Sequence, residues 1–359
     1  MKIATIVGAR PQFIKEAVVG EELRKAGFEH VLIHTGQHYD YNMSEVFFNS
    51  LDIKEPDYNL GVGSGTHAVQ TGLTMIRLEE VVVKEKPDVV LVYGDTNATV
   101  AGALVAAKLK IPVAHVEAGM RQEPRDMPEE INRVLTDRIS SFLFCPSQTA
   151  VKNLQKEGME EGIWFTGDVM YDLFLKMEKH FDYSVVERLC LEENGYVVVT
   201  IHRDFNTDNG ERLEEILKQL TVIQKKKRVV FPIHPRTRKR IEEFGLENHL
   251  ENLDIIDPLD YSSMMGLIKY SWKVITDSGG LQKESYFAGK QAVVVMPGTG
   301  WIELVDAGIN CLTPPEMIRD SLVLIHANIC EKGLYGSGNA AAKIASRLAS
   351  ELRLGARTQ

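Results

Sequence analysis

Short runs of β-branched and aliphatic residues alternate along the chain with longer stretches in which apolar residues recur at helical spacing. The short runs predict strands at Ile3–Val7, His30–His34, Asp88–Val92, Pro112–Val116, Phe142–Cys145 and Ile163–Thr166. A second series follows at Tyr196–Thr200, Val229–Ile233, Leu253–Ile256, Lys273–Thr276 and Ala292–Met296. A run that stays apolar at consecutive positions is buried on both faces, as in a parallel sheet covered by helices. Between the runs the period changes. Val69, Leu73, Ile76 and Val83 fall on one face of one predicted helix, and Leu213, Ile216, Leu217, Leu220 and Ile223 on one face of another. Gly27 ends the first helix as a C-terminal cap. This alternation predicts an α/β chain with parallel sheets. The strand series lapses over Gly167–Asn194, which carries a helical segment at Met170–Lys179, and restarts near residue 195. Two doubly wound, Rossmann-like domains are therefore expected, at residues 1–168 and 169–338, with an Ala-rich C-terminal helix within 339–359 packing back on the first. Ligands bind such folds at strand C-terminal ends, and two facing domains would present both sets of ends to one cleft.

The length of 359 residues suits about two domains. A hydrophobic content of 44% with 25% charged residues provides a full core rather than a disordered chain. The net charge of -9 excludes a protein that coats nucleic acid, which needs a basic surface, yet leaves room for a local anion site. The basic runs Lys225–Arg228 and Arg236–Arg240 lack interleaved aromatics and read as solvated surface. No apolar run is long enough to span a membrane, and the N-terminus enters a strand without a signal-peptide core. The cysteines Cys145, Cys190, Cys311 and Cys330 are scattered, fitting neither a disulfide framework nor a zinc site. A cytoplasmic protein with no membrane or nucleic-acid partner is expected.

Candidate chemistry sits where strands end. Gly8-Ala9-Arg10-Pro11-Gln12 follows the first strand. Gly8 permits a tight turn, Pro11 suits a first helical position, and the loop would aim amides and the Arg10 guanidinium at an anion, with Lys15 one turn on. Neither a GxGxxG fingerprint nor a Walker pattern is present, and a plain strand–helix turn explains the same residues. Thr276–Glu284 (TDSGGLQKE) also follows a strand and opens a helix. Ser278, Gly279 and Gly280 can cradle a pyrophosphate and Glu284 can accept from ribose hydroxyls, although a capped helix start is the plain alternative. Asp95 and Glu117 lie just past strand ends, where acid–base chemistry belongs. Glu129 and Glu130 follow Pro128, a sequence that a helix N-terminus also favours. His202-Arg203 and His234-Pro235-Arg236 follow strands of the second series, where they can bind phosphate or protonate a leaving group; His38 is a further strand-end histidine. No metal-ligand spacing such as HExxH occurs, so no metal site is expected.

Read in order, GARPQFIK (Gly8–Lys15), HTGQH (His34–His38), YGDT (Tyr93–Thr96), HVEAGMR (His115–Arg121), MPEEINR (Met127–Arg133), GD (Gly167-Asp168), HR (His202-Arg203), HPRT (His234–Thr237) and TDSGGLQKE resemble the non-hydrolysing UDP-N-acetylglucosamine 2-epimerase family. The match is nearest to its branch containing both UDP-GlcNAc and UDP-2,3-diacetamido-glucuronate 2-epimerases. The resemblance implies a glycosyltransferase-B type fold, no cofactor, a UDP-sugar substrate and a homodimer. It implies inversion at C2: UDP is eliminated to leave a glycal, then added back after C2 is reprotonated from the other face. It implies proton-transfer roles at Asp95, Glu117 and Glu129, with His202 assisting the pyrophosphate. Arg10, Lys15, Ser278, Gly279 and Gly280 match the phosphate side, and Glu284 a ribose ligand. Gln37, Arg203 and His234 match regions near a second, regulatory UDP-GlcNAc site. Another UDP-sugar, a hydrolysing relative or a catalytically impaired binder are the alternatives. Two departures motivate them. Phe205 stands where HRxEN has Glu, with Asp204 as a substitute, and Met296–Trp301 lacks the Arg and Glu of Met-Arg-x-x-Thr-Glu.

Overall fold

The computed structural model describes residues 1–36, 54–325 and 333–355, Arg10 by its backbone alone. Strands β1 (Lys2–Val7), β2 (Glu29–His34), β3 (Tyr58–Asn59), β4 (Val89–Tyr93), β5 (Val113–Val116), β6 (Phe142–Cys145) and β7 (Ile163–Phe165) form a seven-stranded sheet in the order β3-β2-β1-β4-β5-β6-β7. Strands β8 (Tyr196–Thr200), β9 (Arg228–Pro232), β10 (Asp254–Ile256), β11 (Lys273–Thr276), β12 (Ala292–Val294) and β13 (Asn310–Leu312) form a six-stranded sheet in the order β10-β9-β8-β11-β12-β13. Every pairing is parallel. The expected α/β class with two doubly wound sheets holds. β3 and β13 were not expected: each is a two- or three-residue edge strand of mixed polarity, too short to show a period.

The chain divides into Met1–Lys176 with Gly333–Gln359, and Met177–Lys332. The sequence reading draws the boundary earlier, at 168/169. The helix Val169–Met177 belongs almost wholly to the first unit, for a local reason. The Asp172 carboxylate accepts the amides of Ala340 (3.0 Å) and Ala341 (2.8 Å), capping the helix Ala340–Gly355. Lys176 also pairs with Glu21 on the helix Arg10–Lys25, against which Ala340–Gly355 packs.

The central strands β4, β5, β11 and β12 are buried along their length, Val89 to Tyr93 completely, which is why they read as unbroken apolar runs. In the second unit Leu213, Ile216, Leu217, Leu220 and Ile223 turn inward as their spacing predicts. Burying each side chain contributes about 1.5–3 kcal/mol. The helix His67–Glu85 differs. Its buried residues are Thr74, Leu78 and Val82, while Val69, Ile76 and Val83 are 50%, 63% and 53% exposed. On the helix Pro128–Ile139, Ile131, Val134 and Leu135 are exposed too. Between these two helices, packed on both, lies Asn97–Lys108, itself largely buried. Among the described residues no helix is long and apolar enough to cross a membrane.

Candidate active site

Each sheet reverses strand order between two neighbours, β1 and β4 in the first unit, β8 and β11 in the second. The loops leaving these strands diverge to opposite faces and open a crevice at the strand ends. Most of the predicted residues sit on these loops, on the adjacent one after β5 or on the helices that these loops open, while His234 follows β9.

In the first unit Gln12 staples the loop after β1 to the loop after β4. Its Oε1 accepts the amides of Gly8 (2.7 Å) and Ala9 (3.1 Å), and its Nε2 donates to the Tyr93 carbonyl (2.7 Å) and to the Thr96 and Thr99 hydroxyls (both 3.0 Å). The expectation that this loop aims its amides at an anion is corrected here: two of them are spent on Gln12. Lys15, expected on the phosphate side, pairs with the Glu117 carboxylate. Glu117 follows β5 with φ 73, a left-handed conformation costly for a non-glycine residue. At Gly94 (φ 61) any side chain would strain the backbone, and its Cβ would press on the Glu117 Oε2 at 3.2 Å.

Asp95, next in sequence, is held from the helix Pro128–Ile139. Arg133 pairs with its carboxylate, and the Asn132 amide donates to its carbonyl (2.9 Å). Arg133 also donates to Glu130 (2.9 Å), which accepts the Gln122 amide (3.1 Å) and is buried. Glu129 is exposed. The two adjacent acids, alike in sequence, are thereby separated: Glu130 braces the structure and Glu129 is available to a ligand.

A buried support lies beneath. His115 Nδ1 is 2.7 Å from the Asp137 carboxylate and its Nε2 is 2.8 Å from the Gly94 carbonyl. Asp137 also accepts from Arg121 (2.8 Å) and the Gly119 amide (3.1 Å). Burial pushes the Asp137 carboxyl up, but the bonds and charges of His115 and Arg121 outweigh it and hold the group below the usual carboxylate range. His115, Arg121, Arg133 and Asp137 were not singled out from the sequence. Three of them lie inside HVEAGMR and MPEEINR, where the motif residues between the acids were the available signal.

In the second unit Asp277 is the organiser. Its buried carboxylate accepts the backbone amides of His202 (3.0 Å) and Arg203 (2.9 Å) and the Asn206 side-chain amide (3.0 Å), and lies 3.2 Å from His202 Nδ1. Burial raises the Asp277 pKa, yet these donors hold it below its ordinary value. A carboxylate at Nδ1 fixes the His202 ring and directs Nε2 away from it. The His234 ring lies 5.8 Å from that of His202; burial, then the neighbouring charges of His202 and Arg236, hold its pKa below the ordinary value. Both histidines line a pocket of about 210 Å³ with Ser278, Pro258, Leu259 and Met264.

Ser278 caps the helix Gly279–Phe287, its hydroxyl accepting the Leu281 amide. A Cβ on Gly279 would sit 3.8 Å from the Arg203 guanidinium, and one on Gly280 4.0 Å from the Glu284 carboxylate. The structure therefore gathers Arg203, Ser278, Gly279, Gly280 and Glu284 at one helix end, with His202 and His234 beside it. That end carries about half a positive charge from the helix, plus the guanidinium. Asp204, the suggested substitute for the missing Glu, is exposed and accepts the Phe205 amide (2.8 Å), while the Phe205 ring lies 6.0 Å from the Arg212 guanidinium. Gln37, His38 and the Arg10 side chain lie outside the described residues. Among the described residues no group of three or more His, Cys, Asp or Glu is placed to hold a metal.

Comparison with known proteins places this geometry. The profile of a family described as UDP-N-acetylglucosamine 2-epimerase matches residues 21–349. A UDP-N-acetylglucosamine 2-epimerase homolog of Methanococcus maripaludis is 46% identical, covering 96% of this chain and 98% of that one. The UDP-2,3-diacetamido-2,3-dideoxy-D-glucuronate 2-epimerase of Pseudomonas aeruginosa is also 46% identical, covering 97% and 99%. The crystal structure of Methanocaldococcus jannaschii UDP-GlcNAc 2-epimerase in complex with UDP-GlcNAc and UDP superposes with a TM-score of 0.83 at 40% identity, covering 98% of this chain and all of that one. The two parallel α/β sheets are thus of the glycosyltransferase-B type. With its profile matched across most of the sequence and relatives nearly half identical from end to end, the chain belongs to the UDP-N-acetylglucosamine 2-epimerase family.

Proposed function

We propose that the protein is a UDP-GlcNAc 2-epimerase, an isomerase that interconverts UDP-GlcNAc and UDP-ManNAc without a cofactor. The observation that carries the reading is the set of carboxylates in the first unit. Asp95 and Glu117 each follow a parallel strand and are each held by a cation, Arg133 and Lys15, while Glu129 is exposed on the helix that holds Asp95. Such acids serve proton transfer. The C2–H of a sugar is not acidic, so departure of the diphosphate is the difficult part. The C1–O bond breaks and UDP leaves with the electron pair; a carboxylate takes the C2 proton, and C1=C2 forms. A proton then reaches C2 from the opposite face as UDP re-adds at C1.

Stabilising the leaving anion falls to the second unit: the Gly279 and Gly280 amides, Arg203, and His202 fixed by Asp277. Arg10 joins them on the strength of its motif, Glu284 takes the ribose, and Lys15 acts through Glu117. Incubation with UDP-GlcNAc in deuterated buffer is expected to yield UDP-ManNAc labelled at C2. Neither label nor product would reject the substrate, and label only in a diacetamido-uronate would move the assignment to that sugar.

The reading includes a homodimer, supported by the exposed apolar residues on His67–Glu85 and Pro128–Ile139, and a cytoplasmic location, supported by the free thiols of the described cysteines Cys145, Cys190 and Cys311.

A further inference from the structure

The loop after β12 departs from the family pattern, and its side chains are spent on the helix Gly279–Phe287. The Trp301 indole N–H donates to the Gly279 carbonyl (2.8 Å), and its ring lies 3.8 Å from the Lys283 ammonium. The Thr299 hydroxyl donates to Gln282 Oε1 (2.7 Å) and accepts the Trp301 amide (3.1 Å). Gln282 Nε2 in turn donates to the Ser278 carbonyl (3.3 Å) and approaches Met296 Sδ (3.4 Å).

The two carbonyls that receive these bonds matter because of what shares their peptide planes. The Ser278 carbonyl belongs to the same peptide unit as the Gly279 N–H, and the Gly279 carbonyl to the same unit as the Gly280 N–H. Among the described residues neither amide has an acceptor. A bond accepted at a carbonyl polarises its peptide and strengthens the N–H on the other side, while also fixing the plane. We infer that Trp301, with Thr299 acting through Gln282, positions and polarises the two amides that receive the substrate diphosphate, so that the Met296–Trp301 loop acts on the leaving group by peptide polarisation. The inference rests on the assignment of UDP to Ser278–Gly280. Trp301 and Thr299 are positioning residues; neither touches the sugar.

Trp301→Phe removes the N–H and keeps a ring over Lys283. The variant is expected to bind UDP about five- to tenfold more weakly, the loss of one polarising bond to a charge-bearing peptide. Uridine, which lacks the diphosphate, is expected to bind it and the wild type equally. A merely structural role would weaken both ligands together. Thr299→Val, which leaves Trp301 in place, is expected to show the same selectivity with a smaller loss, and in an amide NMR spectrum the Gly280 proton of Trp301→Phe is expected to move upfield. Wild-type protein that binds no UDP would overturn the functional reading and this inference with it. Wild-type binding with unchanged UDP affinity in Trp301→Phe, or an equal loss for uridine, would overturn the inference alone.

Discussion

Two buried carboxyls of the first unit show how neighbours decide what an acid does. Glu117 faces the Lys15 ammonium, so its charge is compensated. Among the described residues no cation pairs with Glu16: Tyr93 donates to one oxygen (2.6 Å), the other has no hydrogen-bond donor among them, and burial pushes its pKa from 4.5 up to about 8. Beside it burial pushes His30 from 6.5 down to about 4, leaving a neutral acid next to a neutral imidazole at neutral pH. The two groups act on stability with opposite signs. Folded Glu16 keeps a proton that the unfolded chain releases, so its contribution is whole below pH 4.5 and is lost as pH rises through 8. Folded His30 refuses a proton that the unfolded chain takes, so its contribution is whole above pH 6.5 and is lost as pH falls toward 4. Each group tilts stability by at most about 1.4 kcal/mol per pH unit. Glu16→Gln is therefore expected to flatten the fall in urea-unfolding free energy between pH 6 and 8.5, and parallel curves for variant and wild type would contradict the buried neutral acid. Glu129 and Glu130 give a second residue-scale contrast. Glu129→Gln is expected to cut turnover about 100-fold with the melting point unchanged. Glu130→Gln, which weakens buried bonds to Arg133 and the Gln122 amide, is expected to cost about 2 kcal/mol of stability. Equal effects of the two on turnover and on melting would dissolve the distinction.

At the scale of elements, the helix Pro128–Ile139 has two faces with two duties. Glu130, Asn132, Arg133 and Asp137 turn inward to hold Asp95 and the His115 network, and Ile131, Val134 and Leu135 turn outward. The helix His67–Glu85 adds Val69, Ile76 and Val83, seven residues apart and all exposed. The apolar stripe was legible in the sequence, but a stripe does not say what covers it, and among the described residues Val69, Ile76 and Val83 stay exposed. Thr74, Leu78 and Val82, a quieter pattern, make the core contact instead. Exposed aliphatics on two helices flanking a buried third are the kind of surface an interface covers. If the proposed dimer forms through these helices, wild type is expected at twice the 40.3 kDa chain mass by light scattering, and Ile76→Glu combined with Leu135→Glu at the chain mass itself. Because Pro128–Ile139 also carries Glu129, turnover is expected to fall with dimerisation. A wild type already at the monomer mass would remove the dimer from the reading.

For the molecule as a whole, two sheets with the same reversal of strand order divide the work. The first unit supplies acids braced by cations, the second a helix end and basic side chains organised by one buried aspartate. Most of this frame was legible, because strands buried on both faces announce themselves and most motifs lie where a strand ends, MPEEINR at a helix start being the exception. What was not legible was pairing across long separations. Lys15 and Glu117, Asp95 and Arg133, and His202 and Asp277 stand far apart in the chain and meet only through sheet order. Gln12 was read as part of an anion loop because nothing local shows that its amide would close that loop on β4. The division predicts that binding and chemistry are separable. Asp95→Asn removes a charge that Arg133 balances within the first unit, so it is expected to leave UDP affinity within about threefold while abolishing C2 deuterium exchange. Asp277→Asn keeps the side chain's size but weakens its hold on the His202 and Arg203 amides and on the His202 ring, so it is expected to weaken UDP binding about tenfold. At saturating substrate Asp277→Asn is expected still to exchange the C2 hydrogen, because the acids proposed to move that proton stand on the other sheet. A variant set in which Asp95→Asn loses UDP binding, or Asp277→Asn loses exchange at saturation, would show that the two duties are not divided between the units.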